Sequence, residues 1–249
     1  MEKKFILEVC VDSVESAIAA MEGGADRLEL CSNLIIGGTT PSPNLFEEIK
    51  KYCAIPVNVL IRPRFGDFCY TNYEKSIIEE EVSMFQDLGA NGIVAGCLLP
   101  DGSLDIDEME MISDKAGAME KTLHRAFDMC KNPIEVLENA VSLGMDTILT
   151  SGQRNSCMEG LNLLKQLREK AGGRIEIMAG SGVNSKNIRD IFENTGITCY
   201  HMSGKVVVDS RMKYRNKRVN MGIEGFDEYK IFATSREEIE KAHSLILSI

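Results

Sequence analysis

The feature that most constrains this chain is an eightfold alternation of short apolar segments with amphipathic ones. Strands are predicted at Phe5–Cys10, Arg27–Cys31, Pro56–Arg62 and Gly92–Ala95, then at Lys121–His124, Thr147–Thr150, Glu176–Ala179 and Thr198–Met202. The intervening residues carry helical periodicity over Ser13–Glu22, Pro43–Tyr52, Tyr73–Leu88, Ile106–Ala116, Pro133–Leu143, Met158–Lys170 and Lys186–Asn194, with a last helix at Ser235–Leu247. Ser13 reads as an N-cap and Gly23-Gly24 as the stop of the first helix. No Pro/Ser-rich linker interrupts the series. Residues 1–249 are therefore expected to form one α/β domain, a TIM-type (β/α)8 barrel. An open doubly wound sheet fits less well, because no Gly-x-Gly-x-x-Gly follows the first strand. Ser203–Gly225 is predicted to be irregular.

In a parallel barrel, alternate residues of each strand face the helices and the interior. Phe5, Leu7 and Val9 face outward in the first strand, leaving Ile6, Glu8 and Cys10 inside. The same rule places Arg27, Glu29 and Cys31 inside from the second strand, and Leu60, Arg62 and Arg64 from the third. Thr122 and His124 follow from the fifth, and His201 or Ser203 from the eighth. Branched aliphatics normally fill a barrel interior. Here carboxylates, guanidiniums and imidazoles occupy the C-terminal strand ends, where barrel sites are built. Unpaired, each buried charge would cost several kcal/mol. Glu8 and Glu29 are therefore expected to pair with Arg62 and Arg64.

Asn58–Tyr70 carries the densest local signal: a strand running into Arg62-Pro63-Arg64 and then an aromatic, glycine-containing loop with Asp67. Two guanidiniums on one face ask for anions. A second cue is the Met178–Val183 turn (MAGSGV), with Gly180 and Gly182, followed after the next strand by Ser203-Gly204-Lys205. Barrels hold phosphate on backbone N–H groups of these two loops. An anion site is expected from Arg62, Arg64, Gly180, Gly182 and Ser203, with Ser151 close enough to complete it. The alternative is that the glycines serve tight packing alone. His124 stands where a general acid or base would, with Asp128 four residues on and Glu8 and Glu29 across the barrel. No nucleophile–base pair follows from spacing, and a structural histidine satisfied by those carboxylates is the alternative.

Composition excludes several classes. With 28 basic and 38 acidic residues the formal net charge is −10, which argues against general nucleic-acid or anionic-membrane binding. No apolar run is long enough to span a membrane, and the run near the N-terminus is broken by Glu8, so no signal peptide is expected. A cytosolic protein fits these features, and its eight cysteines, none spaced Cys-x-x-Cys, are expected to be free thiols. The basic stretch Lys205, Arg211, Lys213, Arg215, Lys217 and Arg218 is expected to be a solvated surface, or a cover over the mouth or a homodimer contact.

Seven stretches carry a family resemblance: LEVCVDS (Leu7–Ser13), GGADRLELC (Gly23–Cys31), the GG-T-PS pattern at Gly37–Ser42, IRPR-GDFCY (Ile61–Tyr70), HRAFD (His124–Asp128), LTSG (Leu149–Gly152) and MAGSGV. Together they resemble the CutC family, whose members are called copper homeostasis proteins. The resemblance implies a barrel and a cytosolic role in handling Cu(I) through cysteines at strand ends. Cys10 and Cys31 match that role here, with Cys69 a further candidate from the loop. Cu(I) is soft and prefers thiolates, and adjacent strands about 4.8 Å apart bring two such thiols to one ion. Small residues packing beside large arginines are the alternative for both. The rival function is an enzyme or binding protein for a small phosphorylated or otherwise anionic metabolite at the same mouth.

Overall fold

The computed structural model describes residues 5–216, 218–221 and 225–249; Lys217 of the basic stretch lies outside them. Eight parallel strands close into a barrel in chain order. They are β1 (Ile6–Val11), β2 (Arg27–Leu30), β3 (Val57–Leu60) and β4 (Gly92–Ala95), continuing with β5 (Glu120–Leu123), β6 (Thr147–Thr150), β7 (Glu176–Ala179) and β8 (Cys199–Met202). Helices α1 (Val14–Glu22), α2 (Pro43–Lys50), α3 (Asn72–Asp87) and α4 (Ile106–Ala116) follow the first four strands. The outer layer is completed by α5 (Pro133–Ser142), α6 (Leu161–Ala171), α7 (Ile188–Thr195) and α8 (Arg236–Leu247). Among the described residues no helix is long and apolar enough to cross a membrane.

The helix starts are written locally. Ser13 accepts a hydrogen bond from Ser16 N at the head of α1, as its N-cap position predicted. Thr71 and Glu74 form a reciprocal capping box at α3. Pro43 and Pro133 open α2 and α5 directly after the caps Ser42 and Asn132, where a missing N–H costs nothing.

The predicted two-face register of the strands holds. Leu7, Val9, Leu28, Leu30, Val57 and Val59 are wholly buried in the main core between barrel and helices. The interior holds two much smaller apolar clusters. Cys10, Cys31, Leu60 and Val94 form one on the β1–β4 side. Leu149, Met178 and Cys199, with Ile6 against them, form the other. Charged and polar groups occupy the space that aliphatic layers fill in other barrels.

Ser203–Gly225 departs from expectation. Part of it forms β9 (Lys205–Asp209), which pairs antiparallel with β10 (Lys230–Thr234) as a separate ribbon ahead of α8. Its apolar residues Val206, Val207 and Val208 are exposed, so strand propensity was present without the buried face that makes alternation visible. Of the basic stretch, Lys205 lies over the Phe232 ring within this ribbon, and Arg215 lies over the ring of Tyr229, the residue before β10.

Candidate functional site

Strand pairing decides the charge network. The barrel register sets Glu8 beside Arg27 on one side and beside His201 on the other. Arg27 Nε donates to Glu8 Oε2 at 2.6 Å, and His201 Nδ1 lies 2.8 Å from Glu8 Oε1. Burial pushes the Glu8 carboxyl up, but Arg27 and His201 outweigh it and hold it below the ordinary range. His201 is pulled down by burial and pushed up by Cys10, Glu29 and Glu8; the net direction is well up. Glu29 goes the other way: burial and the neighbouring Glu8 raise it.

The expected pairing of Glu8 and Glu29 with Arg62 and Arg64 is therefore corrected. Glu29 faces Cys31 Sγ at 3.2 Å and His201 Nε2 at 3.7 Å. Arg62 donates instead to backbone carbonyls, with Nη1 3.2 Å from Gly37 O and 3.0 Å from Gly38 O, and Nη2 2.7 Å from Gly66 O. Both glycines have φ near +90°, a left-handed conformation open to glycine, and this aims the two carbonyls at the guanidinium. Arg64 leaves the mouth altogether and binds Glu74 at 2.5 Å and Asp67 at 3.0 Å. The extended conformation ends with β3, so the two arginines do not share a face.

The mouth is a cavity of about 260 Å³, with Cys10, Glu29, Arg62, His124, His201 and Ser203 in its wall. Gly182 and Arg125 also line it. Gly180 does not: Leu149 Cδ1 lies 2.5 Å from where its side chain would begin. Ser151 is wholly buried, with its hydroxyl oxygen 2.9 Å from the Asp128 carboxylate and 2.5 Å from Arg154 O, the two acceptors within reach of its one proton. Asp128 accepts from Thr150, Ser151, Gln153 and Arg125, which leaves its carboxylate an anchor for the loop after β6 rather than a group free in the mouth. Cys69 is half-buried outside the mouth, its backbone held by Asp67 and Arg64.

Two features of the wall carry chemistry. The first is a donor cluster: one ligand atom each from Cys10, Glu29 and His201, all within 4.8 Å of one another. Glu8 holds Nδ1 of His201 from behind, which leaves Nε2 for the mouth; a carboxylate behind a histidine is the usual support of a metal-ligating imidazole. Cys31 adds a second thiol beside Glu29; burial and then Glu29 hold its proton on well above the ordinary thiol range. His201 was one of two candidates from strand eight, and its signal was a polar residue at an inward position.

The second is His124. Its Nδ1 accepts from Ala126 N at 3.2 Å, so the neutral ring carries its proton on Nε2, and Nε2 has no partner among the described residues. Burial, then the charge of Arg62, pushes its pKa down to about 3. The ring occupies space left by Gly96, where a Cβ would lie 2.7 Å from Nδ1. Gly96→Ala is expected to displace the ring and cost about 1–3 kcal/mol by overpacking, read from chemical denaturation midpoints. A loss below a few tenths would show that the ring is not held there.

Fold and wall together define a TIM-barrel protein whose mouth carries a thiol–imidazole–carboxylate cluster. A sequence model of the CutC family matches residues 5–206. A Bacteroides fragilis (strain YCH46) family protein CutC is 44% identical over 221 residues, covering 88% of each chain. The human copper homeostasis protein cutC homolog is 42% identical over 246 residues, covering 98% of this chain and 90% of that one. The crystal structure of a CutC from Streptococcus agalactiae superposes with a TM-score of 0.77 at 31% identity, over 80% of this chain and 99% of that one. This chain belongs to the CutC family. Phosphoribosylanthranilate isomerase from Thermotoga maritima, at TM-score 0.58 and 14% identity, shares the barrel fold alone.

Proposed function

We propose that this protein serves copper homeostasis by holding copper as cargo at the barrel mouth, on Cys10, Glu29 and His201 with Cys31 alongside. The observation that carries the reading is the convergence of the three donors within 4.8 Å, with Glu8 orienting the imidazole. The names of the relatives support the same role. Thiolate and imidazole suit copper, and a second thiol on the adjacent strand favours the softer Cu(I). The donors come from β1, β2 and β8, adjacent around the barrel, so no loop has to close to assemble them.

Competition against a Cu(I) chelator tests this. Replacing Cys10 and Cys31 together with serine should weaken Cu(I) binding about 100-fold or more, because hard hydroxyls replace the soft donors. Glu8→Gln, which touches no donor atom other than through His201, should cost about 10–100-fold. Unchanged affinity in the double variant would refute the site.

A further inference from the structure

Opposite the thiol cluster, the same mouth holds groups that copper handling leaves unused. His124 is only 4% exposed, yet its Nε2–H has no acceptor among the described residues. A buried donor without a partner is costly, so an acceptor belongs there. Arg62 lies beside it. Its guanidinium sits 4.9 Å from the centroid of the Phe68 ring, and that ring packs 4.8 Å from His124. Arg62 is 7% exposed and makes no ion pair among the described residues, its terminal nitrogens being spent on neutral carbonyls. A buried cation without an anion is the costlier case. Of the two guanidiniums in the wall, Arg125 is paired with Asp128 at 2.7 Å, so Arg62 is the one without a carboxylate partner among the described residues. Phe68, Leu60 and Leu149 give that wall an apolar side.

We infer that the mouth binds a small organic oxyanion, a carboxylate or a phosphate ester, with one anionic oxygen accepting from His124 Nε2–H in the field of Arg62 and its carbon skeleton on the Phe68–Leu60 side. The histidine acts as a neutral donor. Its depressed pKa keeps the ring uncharged across the physiological range, so the bond forms without proton uptake. Neutrality also fits the neighbourhood, because an imidazolium would add a second buried cation beside Arg62. The cavity of about 260 Å³ lies below the range of drug-sized sites, which limits the ligand to a small metabolite. This oxyanion position differs from the one the arginine pair suggested in sequence, since Arg64 and Gly180 take no part. It needs no metal and stands whether or not copper occupies the other wall.

The test uses the metal-free full chain labelled with ¹⁵N. There are three histidines in the sequence, so single substitutions assign each ring in long-range ¹H–¹⁵N spectra. Inorganic phosphate and glycolate are titrated separately, with sodium chloride matched for ionic strength. Saturable movement of the His124 Nε2 signal, with the ring remaining neutral, is the expected result. A response to phosphate alone assigns phosphate esters, to glycolate alone carboxylates, and to both the shared oxyanion. His124→Phe should weaken binding about tenfold or more, the loss of one hydrogen bond to a charged acceptor, while His124→Gln keeps a donor and most of the affinity. Because the titration is run without metal, its outcome is separate from that of the Cu(I) competition. No shift with either anion, a shift that chloride reproduces, or full affinity in His124→Phe would overturn the assignment. The wild-type titration decides the matter even if the phenylalanine variant fails to fold.

Discussion

Replacing Arg27 with leucine is expected to destabilise the protein by about 3–5 kcal/mol, the cost of removing one partner of a buried ion pair. Glu8 is wholly buried and Arg27 is 8% exposed, so water cannot take over the lost charge. At about 2–4 °C per kcal/mol for a chain of this size, the melting temperature should fall by about 10 °C. Two controls separate lost charge compensation from lost packing. In the variant, Glu8 keeps His201 alone as a cationic partner among the described residues and its pKa must rise, so the deficit should shrink as the pH is lowered and Glu8 takes up a proton. Glu8→Gln combined with Arg27→Met should recover much of the loss, because the pair is then replaced by groups that need no charge. A single-variant loss below 1 kcal/mol, measured by denaturant titration at pH 7, would show that the pair does not hold the interior together.

Acid should destabilise the protein through His124, and the sign follows from linkage. The ordinary histidine pKa of 6.5 applies to the unfolded chain, whereas burial and Arg62 push the folded value down to about 3. Between these values the unfolded state binds the extra proton, so stability is fully present above pH 6.5 and is lost as the pH falls toward 3. From pH 7.5 to 4.5 the loss is about 3 kcal/mol, two effective pH units at about 1.4 kcal/mol each. Other groups titrate differently. His201, raised, is protonated in both states over the lower part of this range, and Glu29, raised, gains stability as the pH falls. The measurement is therefore a difference: urea midpoints of the wild type and His124→Gln across the range. Glutamine cannot titrate, so its stability should fall less steeply than that of the wild type by about that amount. Parallel curves would mean that His124 is not held neutral by the fold.

Much of the site was legible because period-two alternation is a local property. Glu8, Cys10, Arg27, Glu29 and Cys31 are interior by counting, and His124 falls one residue past its strand on the same face. A closed barrel was legible for a related reason. Eight strands that each need a second covered face leave few other ways to bury them. The β9–β10 ribbon was not legible, since both faces of its valines are exposed and no buried stripe marks it.

What counting could not give is which inward charge meets which. Arg62 looked like the partner of Glu8 because both point inward, but the stagger between strands puts Glu8 level with Arg27 and His201. Arg62 stands beyond the end of β3, where the carbonyls of Gly37 and Gly38 reach it first. Sequence alone settled the fold and the face of each strand, because each depends on neighbours along the chain. Tertiary structure decided that Cys10, Glu29 and His201 converge and that Asp128 is spent on a loop. It also decided that His124 keeps a proton with nothing to receive it, because these facts depend on register between segments far apart in sequence, where a shift of two residues keeps every face and changes every partner.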